Sequence, residues 1–284
     1  MAYLSRVGAS MVTYLLLLST QAGIASAQEA ALPSGSDARN AVNASNNPLN
    51  PAFVINVQDY YIPSLSDLPD RMDANVGIVR ALTPFEIDGV GHLLRTSIPL
   101  VGRPNFDGSL SNGIGDLTMF DIIVMQTEPF GWGVGPLFVA PTASDDRFGS
   151  GKWQAGIAGA FAVPQDWGLF GSLTTYQHSF AGDDWRDDVS TLTVQPFAFI
   201  NLPNNFYLQS SGAWSFDLEK DTYYMPVGLG IGKHWVITDD FSINTYVEPQ
   251  YSIQSKGLGN PDWQIFMGIN FQYALSGLKK LMEN

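Results

Sequence analysis

Residues able to carry out covalent or metal chemistry are scarce in this sequence. It contains no cysteine and three histidines, His92, His178 and His234. None is followed by a serine two positions later, the spacing that would put a base and a nucleophile on one face of a strand. Ser179 directly follows His178 and would point to the opposite face. The sequence therefore predicts no catalytic residue, no metal site and no cofactor.

Charged side chains do occur inside apolar segments that are predicted below to cross a membrane. Because a charge facing lipid at mid-depth costs roughly 2–4 kcal/mol for arginine, such residues are expected to face an interior. By alternation Arg95 and Glu248 fit this placement, whereas Arg80 and Asp121 do not fit cleanly. Two roles stay open, lining a path or holding a packed interior together. The predicted lumen-lining residues are Arg80, Arg95, Asp121, Gln195, Glu248 and Gln250.

A second group of charges lies in the segment PTASDDRFGSGKWQAG at 141–156. These side chains could bind an ion or fix a loop, but the simpler interpretation is a self-neutralising loop in which Gly149 and Gly151 set the turn. The candidate ion-pair residues of this loop are Asp145, Asp146, Arg147 and Lys152.

The elements that would position these residues are strands. Short turns, such as 164–166 and 202–205, alternate with longer polar connections, such as 101–115 and 141–151. This alternation is typical of outer-membrane barrels and has no reason to occur in a soluble sandwich. The predicted strands are 52–61, 74–84, 91–101, 116–127, 131–140, 152–163, 167–178, 188–201, 205–216, 222–235, 240–254 and 262–275.

The strand DWQIFMGINFQYAL at 262–275 shows the pattern on which the fold prediction depends. Large apolar side chains occupy every second position from Trp263 to Tyr273, and polar residues or glycine mostly occupy the others. Such a strand separates an apolar surface from a polar one, which fits a sandwich core or a lipid-facing wall. Strands of this length suit a membrane better than a sandwich. The low charged fraction of 14% agrees. We predict an all-β, transmembrane antiparallel barrel of about 12 strands, of outer-membrane type.

The N-terminus predicts export. Arg6, a short apolar stretch and the order Ala25-Ser26-Ala27 have the features of a secretory signal, with cleavage before Gln28. The predicted organisation is a signal peptide at 1–27, a flexible segment at 28–50, a barrel at 51–275 and a tail at 276–284. The formal net charge of −13 disfavours nucleic acid as a partner.

Several segments resemble the bacterial family named for the meta-pathway of phenol degradation, whose members are outer-membrane barrels often described as transporters. The segments are GIGDL at 113–117, GWGVGPLFVAPTA at 131–143, DDRFGSGKW at 145–153, TLTVQPFAFINLP at 191–203, PVGLGIGK at 226–233 and PDWQIFMGINFQY at 261–273. The chain departs from the family where ALSGLKKLMEN follows Tyr273. The resemblance implies aromatic or other hydrophobic cargo and no catalytic residue.

These observations predict a channel or transporter for small molecules in the bacterial outer membrane. The expected partners are outer-membrane lipid, a small solute and the barrel assembly machinery. Two alternatives stay open: a structural or adhesive barrel with a blocked lumen, and a less favoured barrel lipid hydrolase.

Overall fold

The computed structural model describes residues 35–68, 72–105, 109–127 and 130–274. The predicted signal peptide, residues 28–34 and the predicted tail lie outside these ranges. The described chain forms a helix, α1 (Gly35–Asn46), followed by twelve antiparallel strands. The strands are β1 (Phe53–Leu65), β2 (Ala74–Ile87), β3 (Val90–Pro104), β4 (Leu110–Ile114 and Leu117–Thr127), β5 (Phe130–Ala140), β6 (Lys152–Gln165), β7 (Gly168–Gly182), β8 (Ser190–Asn201), β9 (Phe206–Ser210 and Trp214–Asp217), β10 (Thr222–Gly228 and Gly230–Thr238), β11 (Phe241–Lys256) and β12 (Pro261–Tyr273).

The sheet closes on itself. Each strand pairs with its neighbours in the chain, and β12 also pairs with β1, with Phe53 opposite Tyr273. The interrupted strands β4, β9 and β10 each count once, because both of their segments join the same part of the barrel wall. The predicted twelve-strand antiparallel barrel is confirmed.

The two ends of the barrel differ as the sequence predicts. One end, here called the turn end, carries the tight connections at 88–89, 166–167, 202–205 and 239–240. The opposite loop end carries the longer connections at 141–151 and 183–189. One predicted loop is partly wrong. Within 101–115, residues 110–114 pair with 100–104 as a hairpin that extends the wall, because both arms can continue the antiparallel ladder.

The two faces of the strands differ as predicted. In β12, Trp263 and Ile269 are 50% and 39% exposed, whereas Gln264 and Phe266 are each 4% exposed. Large apolar side chains are likewise exposed on strands all around the wall. A soluble monomer rarely exposes a continuous apolar belt, so this surface is suited to lipid. Among the described residues, no helix has the length and apolar character needed to cross a membrane.

Residues 35–46 correct the expectation of a flexible segment over 28–50. They form α1, whose Val42 is 2% exposed and joins an apolar cluster with Leu49, Leu93 and Ile122. Several contacts between α1 and the barrel are hydrogen bonds in which asparagine and serine residues of the helix take part. A helix held in this way needs no wide apolar stripe, and its sequence GSDARNAVNASN therefore lacks one.

Candidate functional site

Three cavities follow one another inside the barrel. The turn-end cavity, of about 180 Å³, is bounded by Ser45–Pro48 of the segment at and after α1. The central cavity, of about 220 Å³, shares five lining residues with it. The loop-end cavity, of about 560 Å³, shares Pro99, Thr118 and Gln177 with the central one. These shared walls arrange the open space as a series along the lumen.

Two arginines lie where the turn-end and central cavities meet. The five residues common to both cavities are Arg80, Arg95, Phe120, Leu173 and Gln195. Both arginine side chains are partly exposed, although they lie inside the barrel. Since they line both cavities, their exposed parts face this internal space.

Neighbouring side chains hold the two guanidinium groups in different ways. Arg80 donates a hydrogen bond from Nη1 to Oε1 of Gln58, and Gln58 in turn donates from Nε2 to the hydroxyl of Tyr246 at 2.6 Å. Arg95 lies over the ring of Phe120, with its Cζ 5.2 Å from the ring centroid. The cations are therefore positioned by an amide and an aromatic ring.

Strand register brings the arginines together. On β2 and β3, Arg80 pairs with Ser97 and Leu82 pairs with Arg95, so the arginines are diagonal neighbours on the same face. The structure thus places Arg80, Arg95 and Gln195 on the cavity wall. Gln195 also donates from Nε2 to the backbone oxygen of Ser211 at 3.0 Å. Arg80 did not fit the alternation because its face of β2 also carries apolar side chains, of which Leu82 lines the turn-end cavity and Ile78 lines the central cavity.

The structure corrects the expectation that Glu248 lines an open path. Its side chain is 0% exposed and borders none of the three cavities. Its carboxylate accepts hydrogen bonds from Gln209 Nε2 at 2.8 Å, from Ser211 Oγ at 2.6 Å and from the Ser211 backbone N–H at 2.8 Å. Gln250 is also enclosed, at 1% exposure, and accepts from Gln264 Nε2 at 2.5 Å. Both residues point inward, but packed side chains cover them.

An interruption of β9 explains why a carboxylate is buried at this point. Ser211 lies between the two segments of β9, so its backbone N–H is outside the ladder and bonds to Glu248 instead. Across the gap, Pro226 of β10 has no N–H to donate. A Cβ on Gly212 would lie 2.1 Å from the carbonyl oxygen of Pro226. Glu248 therefore supplies the acceptor that an interrupted sheet needs.

The glycines of PVGLGIGK give the side chains of neighbouring strands room to cross β10. A Cβ on Gly228 would lie 2.6 Å from Oε1 of Glu248, and a Cβ on Gly230 would lie 2.6 Å from the Cβ of Glu248. A Cβ on Gly232 would lie 2.2 Å from the ring of Tyr207, which is 0% exposed. The inner face of β10 is therefore bare so that Glu248 and Tyr207 can reach across it.

Asp121 faces away from the lumen, contrary to the expectation. Its neighbours Phe120 and Ile122 line the turn-end cavity, so alternation puts Asp121 on the outer face. Its Oδ2 lies 2.7 Å from Nδ1 of His92, and Phe85 stacks on the imidazole with centroids 5.0 Å apart. Its register with outward-facing apolar residues indicated this direction, and the imidazole of His92 is the hydrogen-bond partner of one of its carboxylate oxygens.

The turn end is occupied by α1. The Nδ2 of Asn43 donates to the carbonyl of Gln165 at 3.0 Å, and its Oδ1 accepts from Asn201 at 2.9 Å. The backbone oxygen of Ser45 accepts from Gln272 Nε2 at 2.7 Å. Bonds to three strands of the wall thus hold α1 across this opening, and the segment that follows it forms one wall of the turn-end cavity.

At the loop end, two of the segments quoted for the family resemblance contact each other. Asp116 of GIGDL accepts hydrogen bonds from the backbone N–H of Ser150 at 2.7 Å and from its hydroxyl at 2.8 Å. The ring of Phe148 covers Gly113, where a Cβ would lie 2.1 Å from a ring carbon. Arg186 donates to the carbonyl of Ser150 at 3.1 Å. Asp116 and Arg186 therefore anchor the loop. Sequence reasoning missed both, although the quoted motif contained Asp116.

The four candidate ion-pair residues do not form one cluster. Arg147 Nε lies 2.8 Å from Asp145 Oδ1, and this hydrogen bond holds the pKa of Asp145 below its ordinary value. Lys152 is 7% exposed and lies 3.2 Å from Asp188 of the next loop, where it is the main cause of a lowered Asp188 pKa. Asp146 is exposed. The loop is partly self-neutralising, and Lys152 joins it to its neighbour.

Comparison with solved structures identifies the architecture. The chain is similar to the crystal structure of the COG4313 outer membrane channel from Pseudomonas putida F1, with a TM-score of 0.61 and 12% sequence identity over 78% of this chain and 94% of that one. The fold is that of outer-membrane barrels. More distant similarities include the KdgM porin in complex with disordered oligogalacturonate (TM-score 0.44, 10% identity, 78% of this chain and 99% of that one) and the transport unit of the autotransporter AIDA-I from Escherichia coli (TM-score 0.43, 12% identity, 85% and 98%).

Sequence comparisons add nothing to this structural similarity. No family model matches the chain, and no curated protein matches it. The resemblance to the phenol-degradation family therefore stays a prediction, and the structural similarity to outer-membrane barrels supports only its coarser part.

Proposed function

We propose that this chain is a channel of the bacterial outer membrane that lets small molecules cross by diffusion. The main support is the series of three cavities, each sharing lining residues with the next, between the loop end and the segment after α1, with the arginine pair where two of them meet. The apolar outer surface fits a membrane, and the similarity to an outer membrane channel is consistent with the role. Aromatic or hydrophobic cargo remains part of this proposal and rests on the family resemblance.

The direct test is conductance of the purified full-length chain in a planar lipid bilayer. Discrete, reproducible current steps are the expected result. A barrel that inserts but never conducts would contradict a channel and favour the structural or adhesive alternative. That alternative has one observation in its favour, the position of α1 across the turn end. If α1 restricts an existing path, deletion of residues 35–50 should raise the conductance. Otherwise the deletion should not raise it.

Location and orientation are part of the same proposal. The folded chain should be found in the outer-membrane fraction, with its loop end outside. Cysteines placed at Asp145 and Asp183 should react with an impermeant thiol reagent on intact cells. Cysteines at Gln165 and Asn204 should not, and the absence of native cysteine leaves no background. Labelling only at 165 and 204 would reverse the orientation.

A further inference from the structure

The arginine pair has cationic charge without a counter-charge. Neither Arg80 nor Arg95 forms an ion pair with a carboxylate of the described residues, and the Nε atoms of both lack a hydrogen-bond partner there. No carboxylate within the described ranges lines the turn-end or the central cavity. Elsewhere among these residues, the buried cation Lys152 is paired with Asp188.

Two cations on one face of adjacent strands repel each other, so this arrangement carries a cost in the folded barrel. An anion between them would remove the repulsion and supply the missing acceptors. A guanidinium group presents its donors in a planar fork that matches a carboxylate. Gln58 fixes the direction of the Arg80 group by accepting its Nη1 hydrogen, which prepares one side of such a site.

The surroundings of the pair indicate what the rest of the ligand would be. The turn-end cavity beside the arginines is bounded by aromatic side chains from several strands, among them Phe120, Phe197, Phe199 and Phe266. Sites for small molecules commonly combine apolar walls with a few placed polar groups. A fully hydrated inorganic ion would gain nothing from these rings, whereas an apolar body would be taken out of water by them.

We propose that Arg80 and Arg95 bind the carboxylate of a small organic anion whose apolar body lies against the phenylalanine side chains of the turn-end cavity. The arginines supply charge-assisted hydrogen bonds, and the rings supply contact area. This assignment rests on the proposed channel function, because it places the anion at the junction of two cavities that a solute would pass. It differs from neutral hydrophobic cargo in requiring a negative charge.

Calorimetric titration of the full-length chain in detergent tests the site, with benzoate as the probe and benzyl alcohol as its neutral counterpart. Benzoate should bind and benzyl alcohol should bind at least about tenfold more weakly, the loss expected for one hydrogen bond to a charged group. Arg80→Gln and Arg95→Gln should each weaken benzoate binding by a similar factor. Arg95→Lys, which keeps the charge and loses the fork, should fall in between.

Arg103→Gln is the matched control. Arg103 lies on the same strand and the same face as Arg95, but of the three cavities it borders only the one at the loop end. It should leave benzoate affinity within about twofold of the parent. Equal loss in Arg103→Gln and Arg95→Gln would show a general effect of net charge and overturn the site. So would equal affinity for benzoate and benzyl alcohol. Retention of heat-modifiable migration confirms that each variant is folded.

Conductance of the same preparations separates the two proposals. Current without arginine-dependent benzoate binding would refute the binding site and leave the channel standing. Arginine-dependent binding without current would refute the channel, and with it the placement of the anion on a transport path. Current that benzoate reduces in the parent chain, but not in Arg95→Gln, is the result expected if both hold.

Discussion

The arginine pair and Glu248 are both charged, inward-facing and inside the same barrel, yet their surroundings differ. The arginines border two cavities and have no carboxylate partner within the described chain. Glu248 borders none of the three cavities, is 0% exposed and accepts three hydrogen bonds. Facing inward is therefore not the same as lining a path. What a lumen charge does depends on whether packed donors or open space surround it.

The largest expected effect of breaking this contrast is on stability at Glu248. Glu248→Ala leaves the N–H and hydroxyl of Ser211 and the amide of Gln209 without their acceptor. At about 1–3 kcal/mol for each unsatisfied group, we expect a loss of at least about 3 kcal/mol in the free energy of unfolding. Urea unfolding in detergent or lipid vesicles measures it. Arg95→Gln, which leaves no buried group unpaired, is the comparison and should lose much less.

Glu248→Gln sharpens the same test. It keeps one acceptor oxygen and removes the charge, so stability should fall between that of the parent and Glu248→Ala. If Glu248 instead controlled ion passage, this variant would shift the reversal potential toward anions without loss of stability. That outcome would contradict the enclosed position of Glu248.

The next effect concerns the bare face of β10. In Gly230→Ala the new methyl group would lie 2.5 Å from the Val247 carbonyl oxygen and 2.6 Å from the Cβ of Glu248. Overpacking of this kind typically costs about 1–3 kcal/mol. Gly91→Ala, on β3, is the control, because its Cβ would meet nothing within 4 Å. Equal stability of the two alanine variants would show that the row of glycines is not needed for the crossing side chains.

The arginine side of the comparison predicts a change in selectivity rather than in stability. Arg95→Gln should shift the reversal potential in a salt gradient toward cations, because a cation at the junction repels passing cations and attracts anions. The shift should shrink toward 1 M salt, where the Debye length is about 3 Å. Lys233→Gln removes the same charge outside the lumen, where Lys233 lies over Trp235 with its Nζ 4.1 Å from the ring centroid, and should leave selectivity unchanged.

The barrel was predictable from the sequence because its signal repeats along the chain. Most strands alternate apolar and polar residues, and the longest connections lie at one end of the barrel, so an error in one strand does not change the fold. Asp121 shows the limit. Alternation placed Asp121 with outward-facing residues, but the energetic cost of a charge in lipid led to the prediction that it faces the lumen. Its partner His92 is distant in sequence and becomes a neighbour only through the pairing of β3 with β4.

Two other features could not be predicted because they depend on contacts across the lumen. The hydrogen bonds that hold α1 join residues more than 100 positions apart, such as Asn43 and Gln165. No local pattern records them. The enclosure of Glu248 likewise follows from an interruption in β9, two strands away in the wall. A polar residue on the inner face of a strand shows its direction, but not what covers it.

The smallest expected effect is at the loop end, where charges are paired in solvent. Lys152 lowers the pKa of Asp188, so this pair stabilises the fold above the ordinary carboxyl pKa of about 3.9, and its contribution is lost as pH falls through the lowered value. Asp188→Asn should therefore unfold at a slightly lower temperature than the parent chain at pH 6. The difference should disappear between about pH 4 and pH 2, because a protonated Asp188 resembles asparagine. Asp145→Asn should show a smaller difference, since both members of its pair, Asp145 and Arg147, are exposed (43% and 59%) and screened by solvent, whereas the side chain of Lys152 in the Asp188 pair is 9% exposed. A difference for Asp188→Asn that persists unchanged at pH 2 would mean that the amide, not the lost charge, weakens the loop.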